Sequence, residues 1–85
     1  MSNRTIMGVQ VTNRVENVPG VQKVLTEYGC NIKTRLGLHE VADSTCSTQG
    51  LLILEMYGDE TRIQELEKKL KEFSGVHVQK MVFQE

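Results

Sequence analysis

An α+β fold, a four-stranded antiparallel sheet with two helices on one face, follows from three features of this 85-residue sequence. Segments 5–12 and 31–39 alternate faces with the period of two that a half-buried strand imposes, and 51–57 and 76–83 are short apolar-rich strand segments. Two segments space apolar residues by three and four, as an amphipathic helix does. The six follow one another as strand, helix, strand, strand, helix, strand, punctuated by glycine and proline.

The first strand runs from Thr5 to Thr12, with Met7, Val9 and Val11 on one face and Ile6, Gly8, Gln10 and Thr12 on the other. A turn over residues 13–20 leads into the first helix. Asn13 with Glu16 is a capping-box-like start, and Asn17 is a second candidate cap. Pro19 favours the later start, because a first-turn proline loses no helical hydrogen bond. The helix is placed at about 16–28. Its apolar set is Val18, Val21, Val24, Leu25 and Tyr28, and Gly29 supplies a left-handed stop.

The second strand spans Asn31 to His39. Ile32, Thr34, Leu36 and Leu38 fall on one face; Asn31, Lys33, Arg35, Gly37 and His39 fall on the other, which puts Lys33 and Arg35 together on the outer face. Residues 41–50 read as a polar loop closed by Gly50. The third strand, Leu51 to Tyr57, is the most apolar. With Glu55 outward, Leu52, Leu54 and Met56 enter the core and Leu51, Ile53 and Tyr57 face out. Gly58 and Asp59 end the strand and cap the second helix. Its core stripe is Ile63, Leu66, Leu70 and Phe73, with Glu65–Lys69 and Glu67–Lys71 as supporting pairs. Gly75 ends it, and Val76 to Phe83 is the last strand.

Two βαβ-type crossings over one antiparallel sheet give a ferredoxin-like βαββαβ sandwich. Both helices cover one face of the sheet. The other face is open and carries Ile6, Leu51, Ile53, Tyr57, Met81 and Phe83. An apolar patch of that kind on a small domain marks an interface. A homodimer is expected, built through this face or by joining strand edges.

The length fits one domain, 1–85, whose small core leaves stability marginal and a partner subunit useful. A net charge of −1 offers no electrostatic footprint for nucleic acid. The open face also lacks the exposed aromatics that base stacking requires. No apolar run approaches the ~18 residues of a membrane span, and the polar start precedes no signal h-region. The chain reads as cytoplasmic, with Cys30 and Cys46 as free thiols.

The βαββαβ order with Asn17-Val18-Pro19-Gly20 at the first strand–helix junction resembles ACT domains. Asn17 stands where that pattern has an acidic residue. A closer likeness covers most of the chain: Asn13-Arg14, residues 21–30, the string Ile32-Lys33-Thr34-Arg35-Leu36-Gly37-Leu38-His39-Glu40, and Gly75-Val76 with Val78. These segments resemble the small, stand-alone ACT-like family of iron-only hydrogenase system regulators; Arg35, Gly37 and His39 are the most specific part. The resemblance implies an ACT-like fold and a regulatory link to that hydrogenase system. It supplies no catalytic residues.

Candidate sites follow. Asn13, Asn17, Pro19 and Gly20 at the helix entry, with Arg35, Gly37 and His39 on the second strand, are candidates for a small-molecule effector site or subunit interface. Gly37 either admits a close approach or marks a β-bulge. The alternative is a metal sensor or carrier using His39, Asp43 and Cys46 at the strand-to-loop corner, since thiolate and imidazole suit zinc, nickel or iron. Cys30 and His77 are further donors, but no compact ligand spacing joins Cys30, His39, Cys46 and His77. The plain reading of Cys30 is a small buried filler, and that of Lys33 and Arg35 is pairing with Glu55. No nucleophile–base pair, carboxylate pair or phosphate loop is visible, so neither an enzyme nor a cofactor is expected. A purely structural interaction module is the remaining alternative.

Overall fold

Strand β1 (Asn3–Val11) occupies the interior of the sheet, and its alternation shows why: Met7 and Val9 are fully buried and Val11 nearly so. The computed structural model describes residues 3–42 and 45–84. Within these it describes the side chains of all but residues 14, 15, 38–42 and 45–49. After β1 come α1 (Arg14–Glu27), a 3₁₀ turn (Gly29–Asn31), β2 (Ile32–Ala42), β3 (Thr45–Met56), α2 (Glu60–Lys71) and β4 (Val76–Gln84). The sheet order is β2-β3-β1-β4 with every pairing antiparallel, as the ferredoxin-like sandwich requires.

The core lies between the sheet and the helices. Val21, Leu25 and Tyr28 enter it from α1, and Ile63, Leu66 and Leu70 from α2. They meet Met7, Val9, Val11, Leu54, Met56 and Val76. Each such side chain contributes about 1.5–3 kcal/mol of transfer free energy. Val18, Val24, Leu52 and Phe73 pack half-buried around this set. Among the described residues, no helix is long and apolar enough to cross a membrane.

Three local features depart from expectation. Helix α1 begins at Arg14, so Pro19 lies inside it rather than in its first turn. Asn13 enters at φ 52°, a left-handed conformation asparagine tolerates. Its backbone carbonyl accepts the N–H groups of Glu16 and Asn17, both at 3.0 Å, and no side-chain cap forms. Backbone turn geometry thus replaces the expected capping box. Gly29 is not left-handed either. The chain leaves α1 through the 3₁₀ turn, in which Asn31 N–H reaches the Tyr28 carbonyl at 2.9 Å.

The third departure is in the hairpin. Residues 41–50, expected as a loop, are largely strand: Val41 pairs with Cys46 and Ala42 with Thr45. Cross-strand pairing overrides the polar composition there, helped by threonine's preference for strands.

Strand β2 contains a register shift. Ile32 pairs with Met56, yet Thr34 pairs with the next residue, Glu55. Lys33 is therefore an extra residue, and a one-residue slip exchanges the two faces for Thr34 to Gly37. Leu36 sits opposite Ile53 on the open face and is 53% exposed. Arg35 sits opposite the buried Leu54, on the helix-covered face. The expectation that Lys33 and Arg35 share the outer face fails for this reason.

The second helix follows its sequence closely. The Asp59 carboxylate accepts the Thr61 N–H at 2.8 Å, capping α2, and Gly58 turns the chain at φ 93°. Lys71 pairs with Glu67 at 3.0 Å, as expected. Lys69 instead reaches across to Glu27 on α1 at 2.6 Å, while Glu65 takes Arg62 at 3.1 Å.

Candidate functional site

At the end of the sheet where β1 enters α1 and α2 enters β4, a hydrogen-bond cluster joins the two turns. Thr12 donates its backbone N–H and its hydroxyl to the Gly75 carbonyl, at 2.9 and 2.7 Å. The Asn17 amide donates to the Thr12 carbonyl at 2.9 Å and to the Ser74 carbonyl at 2.8 Å. Gly75 has φ 83°, and a Cβ there would run into the Thr12 hydroxyl. One turn further along α1, a Cβ on Gly20 would lie 2.5 Å from the Phe73 ring. Asn17 and Gly20 therefore both lock the start of α1 against the α2–β4 turn. Pro19 is exposed on α1.

The register brings the backbone of His39 to the same end, and sets Gly37 level with Val9 and Arg35 level with Met7, in mid-sheet. Val11 pairs with Gly50, and Gly50 pairs with His39, so the far part of β2 lies level with the entry to α1, one strand away. Arg35 donates from Nη2 to the Gln22 Oε1 on α1 at 2.8 Å. Gly37 lies opposite Leu52, and a Cβ added to it would meet Leu52 at an ordinary 3.5 Å. Arg35 and Gly37 thus border an exposed edge between α1 and β2. The Gln22 contact was invisible in the sequence, because it depends on the bulge at Lys33 turning Arg35 inward.

Cys30 is exposed in the 3₁₀ turn rather than buried as a filler. His77 is exposed on the open face opposite Gln10. Cys46 pairs with Val41, and its backbone lies four β3 positions from Gly50, the partner of His39. That is roughly 13 Å along the strand. Asp43, and the side chains of His39 and Cys46, lie outside the described residues. Among the described residues, no group of three metal-ligating side chains converges.

The open face is mixed in character. Leu36, Leu51, Met81 and Phe83 are each more than a third exposed, and Ile6 and Ile53 lie half-buried between them. Tyr57, just past the end of β3, is 65% exposed. Thr34 donates to Glu55 at 3.0 Å, and Arg4 approaches the same carboxylate at 3.9 Å. Arg4 and Thr34 therefore take the place beside Glu55 expected for Lys33 and Arg35. Gly8, Gln10, Leu51, His77 and Gln79 line a shallow depression of about 180 Å³.

On the opposite side of the molecule, charges cluster over Tyr28. The Arg62 guanidinium lies 4.3 Å and the Lys69 ammonium 5.3 Å from its ring centre. Lys69 holds Glu27 below the usual carboxylate range and is itself raised by that hydrogen bond. Burial pushes Glu67 up, but hydrogen bonds from Lys80 and Lys71 outweigh it and leave the carboxyl lowered. These pairs join α1 to α2 and α2 to β4.

No family model matches the chain, and no curated protein matches it. Solved structures do. An uncharacterized protein of Thermotoga maritima superposes with a TM-score of 0.83 at 23% identity, over 98% of this chain and 100% of that one. CPII, a nitrogen regulatory PII-like protein of Thiomonas intermedia K12, was solved bound to ADP, AMP and bicarbonate. It superposes with a TM-score of 0.58 at 12% identity, over 99% of this chain and 96% of that one. A de novo designed protein, Foldit4, superposes with a TM-score of 0.53 at 14% identity over 99% of each chain. At these identities the likeness is one of fold.

Proposed function

We propose that this chain is a cytoplasmic regulatory module of ACT-like fold. It works as a homodimer and binds a small effector or a protein of the iron-only hydrogenase system. The observation that carries the reading is the uncovered sheet face with its exposed Leu36, Leu51, Met81 and Phe83. A surface of that kind on a small domain is used by meeting another one. The fold shared with a nitrogen regulatory PII-like protein supports a regulatory role. The hydrogenase link rests on the sequence resemblance through Arg35, Gly37 and His39.

The effector site is assigned to the edge between α1 and β2. Arg35 supplies a guanidinium suited to a carboxylate or phosphate group, held in place by Gln22. Gly37 leaves room beside it, and β2 leads from there toward the residue 13–20 entry, level with His39. Asn17 and Gly20 act by fixing that entry, since their own contacts are internal.

Native mass spectrometry of the untagged protein, purified without added ligand, tests this reading. The expected spectrum is a dimer retaining a small organic mass, with that mass lost in Arg35→Ala. A wild-type monomer, or an Arg35→Ala protein that keeps the bound mass, refutes it.

A further inference from the structure

The sheet has two edges, and they are built differently. Edge strand β2 is interrupted twice: Lys33 is an extra residue, and a second register shift falls between His39 and Val41. Bulges and outward lysines are the devices by which proteins keep an edge from pairing with another chain. Edge strand β4 has neither. It pairs with β1 without a break from Asn3 opposite Gln84 to Val11 opposite Val76. It contains no proline, and its one charged residue, Lys80, is drawn aside to Glu67 on α2 at 2.8 Å.

The outer half of β4 is also bare. Every residue from Gln79 to Gln84 is exposed. Met81, Val82 and Phe83 are consecutive, so they project to both faces of the sheet, and they are 56%, 46% and 52% exposed. Val82 lies opposite the buried Thr5, on the helix side, yet neither helix covers it. Helix-side exposure sets this strand apart from the open face as a whole. A row of unpaired backbone N–H and C=O groups flanked by apolar side chains fits another strand better than any compact ligand.

We propose that the free edge of β4 pairs antiparallel with the β4 edge of a second copy of this chain, giving one continuous sheet across the dimer. This rests on the homodimer of the proposed function and places its contact at the β4 edge, leaving the open face to a protein partner. A two-fold axis through the edge sets like faces opposite, and antiparallel edges are self-complementary. An axis at Lys80 would set two ammonium groups opposite each other, which is unfavourable. An axis at Met81 avoids this: Met81 then faces its own copy, Val82 lies opposite Lys80 and Phe83 opposite Gln79. The open face then remains available on both protomers.

Amide hydrogen exchange on the wild-type dimer, followed by NMR, is the first test. It needs no variant to fold. The outward-pointing amides of β4 are expected to exchange at least about tenfold more slowly than those of β2. Native mass spectrometry of Val82→Lys and Leu36→Lys is the second. Val82→Lys is expected to weaken the dimer at least about tenfold by placing charge on the paired edge, with Leu36→Lys leaving it intact. A wild-type dimer whose β4 amides exchange as fast as those of β2 overturns this inference while the proposed function stands. So does a dimer lost in Leu36→Lys but kept in Val82→Lys, which assigns the contact to the open face. A monomeric wild type overturns both.

Discussion

Replacing Asn17 by aspartate changes one NH2 group to oxygen and removes the donor of two hydrogen bonds. The amide now donates to the Thr12 carbonyl at 2.9 Å and to the Ser74 carbonyl at 2.8 Å. For comparison, Asn17→Ala deletes both bonds. At about 1 kcal/mol net each this loses roughly 2 kcal/mol, and alanine's better helix propensity returns about 0.5 kcal/mol. The expected loss is then about 1.5 kcal/mol, or roughly 6–12 °C in melting temperature for a domain of this size. Asn17→Asp is expected to lose more at neutral pH, because a carboxylate facing two carbonyl oxygens is repelled and donates nothing. That environment raises the carboxyl's folded-state pKa above its unfolded value of about 3.9. The protonated form's contribution is present below that value and is lost as pH rises through the folded-state pKa. The two variants should therefore converge in acid and separate toward neutrality. Urea unfolding at a series of pH values and fixed protein concentration measures this, with an unchanged slope confirming that only stability moved. An Asn17→Asp protein as stable as the wild type at pH 7 refutes the argument. The test also bears on the ACT-domain pattern, in which an acidic residue occupies this place.

Gly20→Ala should destabilise by about 1 kcal/mol despite the gain in helix propensity, because its Cβ meets the Phe73 ring. Combining it with Phe73→Leu should recover most of that loss in a double-mutant thermal-melt cycle, and additive effects would deny the contact. The lowered Glu67 carboxyl makes stability fall as pH drops through its folded-state pKa. Glu67→Gln should flatten that acid limb in urea titrations and leave the profile above the ordinary carboxylate range unchanged in shape. An acid limb identical to wild type would mean that the Lys71 and Lys80 contacts add nothing.

The strands and helices were legible wherever burial was one-sided. The alternation of β1 and the Ile63, Leu66, Leu70 stripe of α2 led directly to core positions, and the open face emerged from Ile6, Leu51, Ile53, Met81 and Phe83. What stayed hidden was set by backbone geometry. In β2, Thr34 and Leu36 alternate with Lys33 and Arg35, but one inserted residue at Lys33 decides which way Thr34 and Leu36 point. The same insertion aims Arg35 at Gln22, and no local pattern announces it. Cys30 looked like core filler by residue type, yet the 3₁₀ turn leaves it in solvent. The helix-entry candidates were found by their Pro-Gly turn. Their clamping role depends on Ser74 and Gly75, more than fifty residues away.

The pairing of β1 with β4 has a consequence for how the chain acquires its structure. Synthesis delivers β1 first and β4 last, yet Asn3 ends opposite Gln84. Until β4 emerges, β1 has only β3 beside it, and one flank of Met7, Val9 and Val11 has no strand next to it. Contacts so distant in sequence make folding slow, since the longest loop must close before the interior strand has both neighbours. Truncation before β4 would accordingly strip the interior strand of one neighbour along its whole length.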